Sequence, residues 1–279
     1  MSASSDDEEA GFHYARLDRA TELYERFGQV WADYLEQRPH RLTMQTDHGG
    51  CTRIRVERLT PIPLQLSLLL GEYLYELRAA LDNCLYAVAV IDSGQSPPPN
   101  GDLLEWPIYL TPKKWKDNQR RFAALSPELR DALEGIQPYQ AATPGWNCLR
   151  ILHDLARTDR HRALHLVTLH ATYGNAMIDR TLIADFEGHT GVVGLDGVVA
   201  TFRHLDPQRE LTPENFDFNV EFEVELAEIA EAPHPGSGKA SRPWGGLDKR
   251  LQALHKAVFE YVAGLEAMAK NIRAEREME

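Results

Sequence analysis

The stretch from Leu64 to Ile91 constrains the fold of this chain more than any other part of the sequence. It is apolar almost all round a helical projection and is far longer than an ordinary strand. The charged residues that interrupt it are Glu72, Glu76, Arg78 and Asp82. They break up the roughly 18 consecutive apolar residues that a membrane span needs. We therefore predict the central, most buried helix of a helical bundle, over about residues 61–91.

The polar exceptions on this helix are ordered. Gly71, Tyr75, Arg78 and Asp82 recur at intervals of four, three and four residues, which places them on one helical face. A buried Arg or Asp is costly unless it pairs with its neighbour or with a polar group on another element. We therefore expect Arg78 and Asp82 to form such a pairing.

Periodicity elsewhere predicts an α+β protein, with a bundle of long helices and a small antiparallel β-sheet inserted before the C-terminal helix. Further helices are predicted at about 12–37, 145–169 and 247–277. Alternating residues predict a strand within 51–59 and others at 177–187, 191–202 and 216–226. The predicted organisation is a disordered acidic tail (1–11), a helical bundle (12–170 with 247–279), a sheet insertion (171–231) and a flexible linker (232–246).

A formal net charge of −12 argues against coating of duplex nucleic acid by the overall field, but it leaves a local basic site open. The run TPKKWKDNQRR around Trp115 could touch a nucleic-acid backbone, or it could be a solvated helix face with an anchoring Trp. Three widely spaced cysteines are typical of free thiols in a reducing cytoplasm. We expect a cytoplasmic protein without a membrane segment or a signal peptide.

The segment LRILHDLARTDRHRALHLVTLH, from Leu149 to His170, holds most of the candidate site residues. As a helix it has one polar stripe, composed of Asp154, Thr158, His161 and His165. Asp159 falls instead among leucines, so it must be paired or neutralised. Its possible partners are Arg78 on the buried helix and the nearby Arg157, Arg160 and Arg162.

Three chemistries fit these residues. In a metal-free ribonuclease, His165 would transfer a proton and Arg160 would neutralise charge developing on phosphorus. In a metal-binding helical-bundle hydrolase, the ligands would be Asp154, His161 and His165 with Asp82, Glu72 or Glu76. In a non-enzymatic scaffold or oligomerisation protein, Arg78, Asp82, Asp159 and His161 would form a buried network that specifies packing.

The residues Arg160-His161-Arg162-Ala163-Leu164-His165 resemble the motif of the HEPN superfamily. The resemblance implies a metal-independent ribonuclease, often a toxin or an anti-phage effector, that dimerises so that two motifs face one cleft. Arg160 and His165 would then be catalytic, and His161 would be the polar residue that follows the Arg.

A longer part of the chain, from Gly71 to His165, is similar to a group of uncharacterised bacterial and phage proteins. The matching segments are GEYLYELRAALDNCLY, EWPIYL, IQPYQ and LRILHDLARTDRHRALH. This similarity singles out Arg78, Asp82, Asp159, Arg160, His161 and Arg162, but it implies no activity.

Together these observations predict a HEPN-like, metal-independent ribonuclease or nucleotide-binding protein without a cofactor or a metal. The predicted catalytic residues are Arg160, His165, His161 and Asp159. Substrate binding or a structural network is expected of Arg78, Asp82, Asp154 and Arg162. The expected partners are RNA or a nucleotide, and a second copy of the chain.

Overall fold

The computed structural model describes residues 11–161, 167–194, 196–206, 208–212, 214–226 and 244–278, with the backbone alone for residues 159–161 and 173–176. The helices are α1 (Phe12–Glu36), α2 (Leu64–Ser93), α3 (Pro112–Asn118), α4 (Pro127–Gly135), α5 (Cys148–His161) and α6 (Leu247–Met278). The strands are β1 (His40–Thr46), β2 (Cys51–Arg58), β3 (Val167–Ile178), β4 (Ile183–Gly188), β5 (Gly191–Val192), β6 (Val198–His204) and β7 (Phe216–Leu226).

Helix α2 lies at the centre of the helical part of the molecule. Leu74, Leu77 and Leu81 have no exposed surface, and α2 contributes more residues to the main apolar cluster than any other helix. Helices α1, α5 and α6 contribute the facing side chains. The α+β class and the buried helix at about 61–91 are therefore confirmed, and the apolar character of α2 on almost all sides is the physical reason for its position.

The strands form two antiparallel sheets, whereas we predicted one. The first sheet has the order β1-β2-β6-β4 and the second has the order β5-β3-β7. Side chains from both sheets build a single apolar cluster, in which the rings of Phe202 on β6 and Phe216 on β7 lie 5.2 Å apart. Strand β2 joins the sheet by pairing with β6, as the alternation within 51–59 predicted.

Two predicted boundaries are wrong. Helix α5 ends at His161, and by Val167 the chain is a strand, so the helix predicted at 145–169 is too long. The strand predicted at 177–187 is instead the end of β3, a turn at Asp179 and most of β4. The reason is long-range pairing: β3 aligns with β7 from Val167 to Ile178, and this partner lies about 50 residues away. Strands β1 and most of β3 were not predicted.

A fully buried ion pair joins the second sheet to α6. The Arg250 guanidinium donates from Nη1 to Oε1 of Glu225 on β7 at 2.9 Å, and from Nη2 to the Gly245 carbonyl at 3.0 Å. Both charged side chains have no exposed surface. Because neither side chain is exposed to solvent, the two opposite charges offset the cost of burying each other.

Within the residues that the structure describes, no helix combines the length and the apolar character that a membrane crossing requires. Residues 1–10 of the predicted acidic tail lie outside the described residues. The same holds for residues 232–243 of the predicted linker.

Candidate functional site

The predicted polar stripe of α2 lines a cavity of about 240 Å³. The residues of α2 that surround it are Gly71, Tyr75, Arg78, Ala79, Asp82 and Asn83, and the remaining wall is formed by Arg16 of α1 and Ala156 of α5. The glycine and the alanines leave room for the cavity, while the polar side chains define its chemistry. Sequence periodicity therefore predicted correctly that Gly71, Tyr75, Arg78 and Asp82 share one face of α2, while the cavity beside that face is seen only in the structure.

Arg78 and Asp82 together hold the backbone of Trp106. Arg78 Nη2 donates to the Trp106 carbonyl at 2.6 Å, and the Trp106 N–H donates to Asp82 Oδ1 at 2.8 Å. The two side chains also lie 3.4 Å apart, so the predicted Arg78–Asp82 pair is present. Within the described residues, the pair also binds the backbone at Trp106, which the sequence pattern did not reveal.

Residues 104–109 belong to neither sheet, so no neighbouring strand in the described part of the chain binds their backbone. Side chains form hydrogen bonds with the backbone of this segment instead. The buried amide of Gln137 accepts the Tyr109 N–H at 2.8 Å and donates to the Pro107 carbonyl at 3.1 Å. The polar side chains thus replace the hydrogen bonds that a neighbouring strand would supply.

Arg78 is the most buried cation of this region. It has 7% of its surface exposed, and its Nη1 is buried without a hydrogen-bond partner among the residues that the structure describes. Arg16 lies nearer the surface, 3.0 Å from Glu76, and its guanidinium is 5.9 Å from the centre of the Tyr75 ring. The cavity wall therefore carries one buried and one partly exposed positive charge.

A second, smaller cavity of about 110 Å³ shares Arg78 with the first. It is lined by Glu105 to Tyr109, by Arg121 and by His153 of α5. Glu105 bridges two arginines, with Oε1 3.4 Å from Arg78 Nη2 and Oε2 3.4 Å from Arg121 Nη2. Two arginines and a histidine therefore surround a small polar space.

Helix α5 contributes to both cavities through His153 and Ala156. Asp154 lies on the other side of the helix: its side chain is 54% exposed and forms an ion pair with Arg150 at 3.5 Å. The structure therefore does not bring Asp154 to Arg78 and Asp82, because the core-facing side of α5 is the one formed by Leu152, Leu155 and Ala156.

Three of the remaining predicted residues, Asp159, Arg160 and His161, are the last residues of this helix. The backbone of Asp159, Arg160 and His161 continues α5 one turn beyond Ala156, and their side chains lie outside the described part of the chain. Arg162 and His165 also lie outside the described residues.

Residues of the proposed metal site do not come together where they are described. Within these parts of the chain, no three His, Cys, Asp or Glu side chains form a group that could hold a metal ion. Glu76 pairs with Arg16, Asp82 accepts the Trp106 N–H and Asp154 faces solvent.

Glu105, Arg121 and His153 are not among the site residues that the sequence predicts. Arg121 ends the basic run around Trp115, for which the sequence predicts either a nucleic-acid contact or a solvated helix face. Trp115 is buried and stacks on Phe122 at 5.5 Å, as the anchoring interpretation predicted, while the lysines beside it are exposed. Glu105 belongs to the segment EWPIYL, whose resemblance to other proteins was its only signal.

A separate cluster of titratable groups is buried between α1 and α6. His13 has no exposed surface, and its Nε2 lies 3.6 Å from Oε2 of Glu266. Glu266 also accepts hydrogen bonds from the Tyr14 hydroxyl at 2.7 Å and from Lys270 at 2.8 Å. Burial lowers the pKa of His13 and outweighs the Glu266 carboxylate, which acts to raise it. Burial and the hydrogen bond to Glu266 raise the pKa of Tyr14 to about 12.

His13 should therefore make the fold sensitive to mild acid. Because the folded-state pKa of His13 lies below its usual value of 6.5, the unfolded chain binds the extra proton first as the pH falls. Stability is then retained above about pH 6.5 and lost below it, by at most about 1.4 kcal/mol per pH unit. We expect urea unfolding between pH 7.5 and pH 5 to show a shallower pH slope for His13→Gln than for wild type. Equal slopes in both proteins would contradict this role.

Comparison of the chain with protein-family models, with curated proteins and with solved structures found no significant match.

Proposed function

We propose that the chain binds RNA or a nucleotide at the larger cavity and cleaves RNA without a metal ion. The observation that carries the proposal is Arg78, a nearly fully buried guanidinium that lines both cavities and keeps Nη1 without a partner in the described part of the chain. A planar guanidinium with free N–H groups suits phosphate oxygens well, and burial strengthens the interaction.

One of the proposed catalytic residues, Arg160, belongs to the helix that forms one wall of the cavity. Ala156 lines the cavity, and Arg160 follows it by one helical turn. In the proposed reaction Arg160 neutralises the charge that develops on phosphorus. His165 transfers a proton at the 2′-hydroxyl or at the leaving oxygen of the RNA. Its unperturbed pKa of about 6.5 suits proton transfer near neutral pH. Dimerisation and a toxin or anti-phage role, which the HEPN resemblance implies, belong to the same proposal.

The first test is RNA cleavage by the purified protein in EDTA. We expect cleavage by wild type, and a loss of rate of about 10²–10⁴-fold in Arg160→Ala and in His165→Ala, since each removes a group that acts in the transition state. Arg157→Ala is the matched control, because Arg157 is an exposed arginine on the same helix. It should retain the wild-type rate, and circular dichroism should show that all variants are folded.

A second candidate function is a non-enzymatic scaffold, and the paired hydrogen bonds on Trp106 favour it. In this case Arg78 and Asp82 serve to hold the segment around Trp106, and their loss lowers stability rather than activity. Absence of RNA cleavage in every form of the protein, together with a lower melting temperature of Asp82→Asn, would favour the scaffold over the ribonuclease.

A further inference from the structure

The smaller cavity differs from the larger one in the density of its positive charge. Arg78 and Arg121 both line it, and His153 forms part of its wall. A residue that does not line the cavity positions Arg121: the Arg121 Nε donates to the Leu103 carbonyl at 3.1 Å. The two guanidinium groups are therefore positioned by the protein backbone, Arg78 through Trp106 and Arg121 through Leu103.

Glu105 connects these two arginines weakly. Each of its two contacts is 3.4 Å long, beyond the usual range for a charge-assisted hydrogen bond. The Glu105 side chain is also 54% exposed, so it can rotate into solvent without the cost of breaking a packed core. The two arginines therefore form a position for an anion, which the Glu105 carboxylate occupies without strong hydrogen bonds.

We propose that the smaller cavity is a phosphate-binding subsite, in which Arg78 and Arg121 bind the phosphate oxygens and Glu105 competes for the same two guanidinium groups. Two observations support this assignment independently. One is the buried Nη1 of Arg78, which has no hydrogen-bond partner in the described residues. The other is the bridging position of Glu105, whose two oxygens each contact one arginine.

The chemistry is that of a phosphate group, either free or attached to a nucleoside. A phosphate offers several oxygens to two planar guanidinium groups, whereas Glu105 offers only one oxygen to each. The subsite extends the proposed function, because the phosphate would belong to RNA or a nucleotide whose remaining part occupies the larger cavity. The inference rests on that function for the identity of the ligand, but binding of inorganic phosphate can be measured without it.

The test is calorimetric titration of the full-length protein with inorganic phosphate and, separately, with a nucleoside monophosphate. We expect Arg121→Gln to weaken phosphate binding by about tenfold to a hundredfold, since it removes charge-assisted hydrogen bonds. Glu105→Gln should strengthen binding by roughly two- to fivefold, because it removes a partly solvated competing carboxylate. Arg120→Gln is the matched control: its side chain is exposed and does not line the cavity, so binding should not change.

Absence of phosphate binding in both wild type and Glu105→Gln would overturn the subsite. Equal weakening in Arg120→Gln and Arg121→Gln would also overturn it, because the binding would then reflect general surface charge. Tighter binding of the nucleoside monophosphate would support a nucleotide source, and equal binding would indicate free phosphate. Phosphate binding without RNA cleavage would leave the subsite standing and reject the ribonuclease, whereas cleavage without phosphate binding would do the reverse.

Discussion

Arg250→Met should destabilise the protein by about 3–5 kcal/mol, because it removes one partner of a buried ion pair and takes the Arg250 cation away from the Glu225 carboxylate. Both side chains have no exposed surface, so water cannot replace the lost partner. The variant also removes the hydrogen bond from Arg250 to the Gly245 carbonyl, at the start of α6. Equilibrium unfolding in urea measures the change directly.

A double variant and an exposed ion pair test whether the loss of stability comes from breaking a buried ion pair. Arg250→Met combined with Glu225→Leu should recover most of the lost stability, since a well-packed apolar pair often replaces a buried ion pair at little cost. Arg41→Met is the matched control, because Arg41 and Glu57 form an even shorter contact of 2.7 Å with side chains that are 60% and 46% exposed. Stability should change little there. A single Arg250→Met variant as stable as wild type would refute the role of this pair.

Gly197→Ala should be the second most damaging change, and it has a matched control in Gly94→Ala. The two glycines have nearly the same backbone conformation, with φ of +67° and +68°. An alanine pays the cost of the left-handed region, about 1–2 kcal/mol, at either position. At Gly197 the added Cβ would also lie 2.6 Å from the backbone oxygen of Val56, whereas at Gly94 it would meet nothing within 4 Å.

The backbone of Val56 cannot yield easily, because its N–H donates to the Gly197 carbonyl at 2.8 Å beside the β2–β6 pairing. We therefore expect Gly197→Ala to cost about 1–3 kcal/mol more than Gly94→Ala, the usual range for overpacking. Thermal or urea unfolding of both variants gives the difference. Equal losses would mean that the turn at Gly197 shifts freely and that the contact with Val56 imposes no constraint.

The candidate site shows which features residue spacing along one helix can predict and which it cannot. Spacing along α2 placed Gly71, Tyr75, Arg78 and Asp82 on one face, and these residues do line one cavity. The same spacing could not show that Arg78 and Asp82 bind the backbone of Trp106, because residue 106 lies 24 positions beyond Asp82. Arg121 and His153 were missed for the same reason: each reaches the smaller cavity through its own element.

The strands likewise divide into those that the local pattern predicts and those that depend on a distant partner. Strand β7 was predicted correctly at Phe216–Leu226, because its clean alternation describes a half-buried strand without reference to a partner. Strand β3 was largely missed, since the leucines, alanines and histidines before and after Val167 also fit a helix. Its pairing with β7 decides in favour of the strand.

The sequence by itself determined the α+β class, the burial of α2 and the shared face of its polar residues. These features depend on side-chain periodicity within a few helical turns or within one strand, where the hydrophobic effect acts on neighbouring residues. The tertiary structure alone decided where α5 ends, that the strands divide into two sheets, that Arg78 and Asp82 bind the backbone of Trp106 and that Arg250 pairs with Glu225. Those outcomes depend on contacts between residues far apart in the chain, whose hydrogen bonds and charges are satisfied only once the elements have packed.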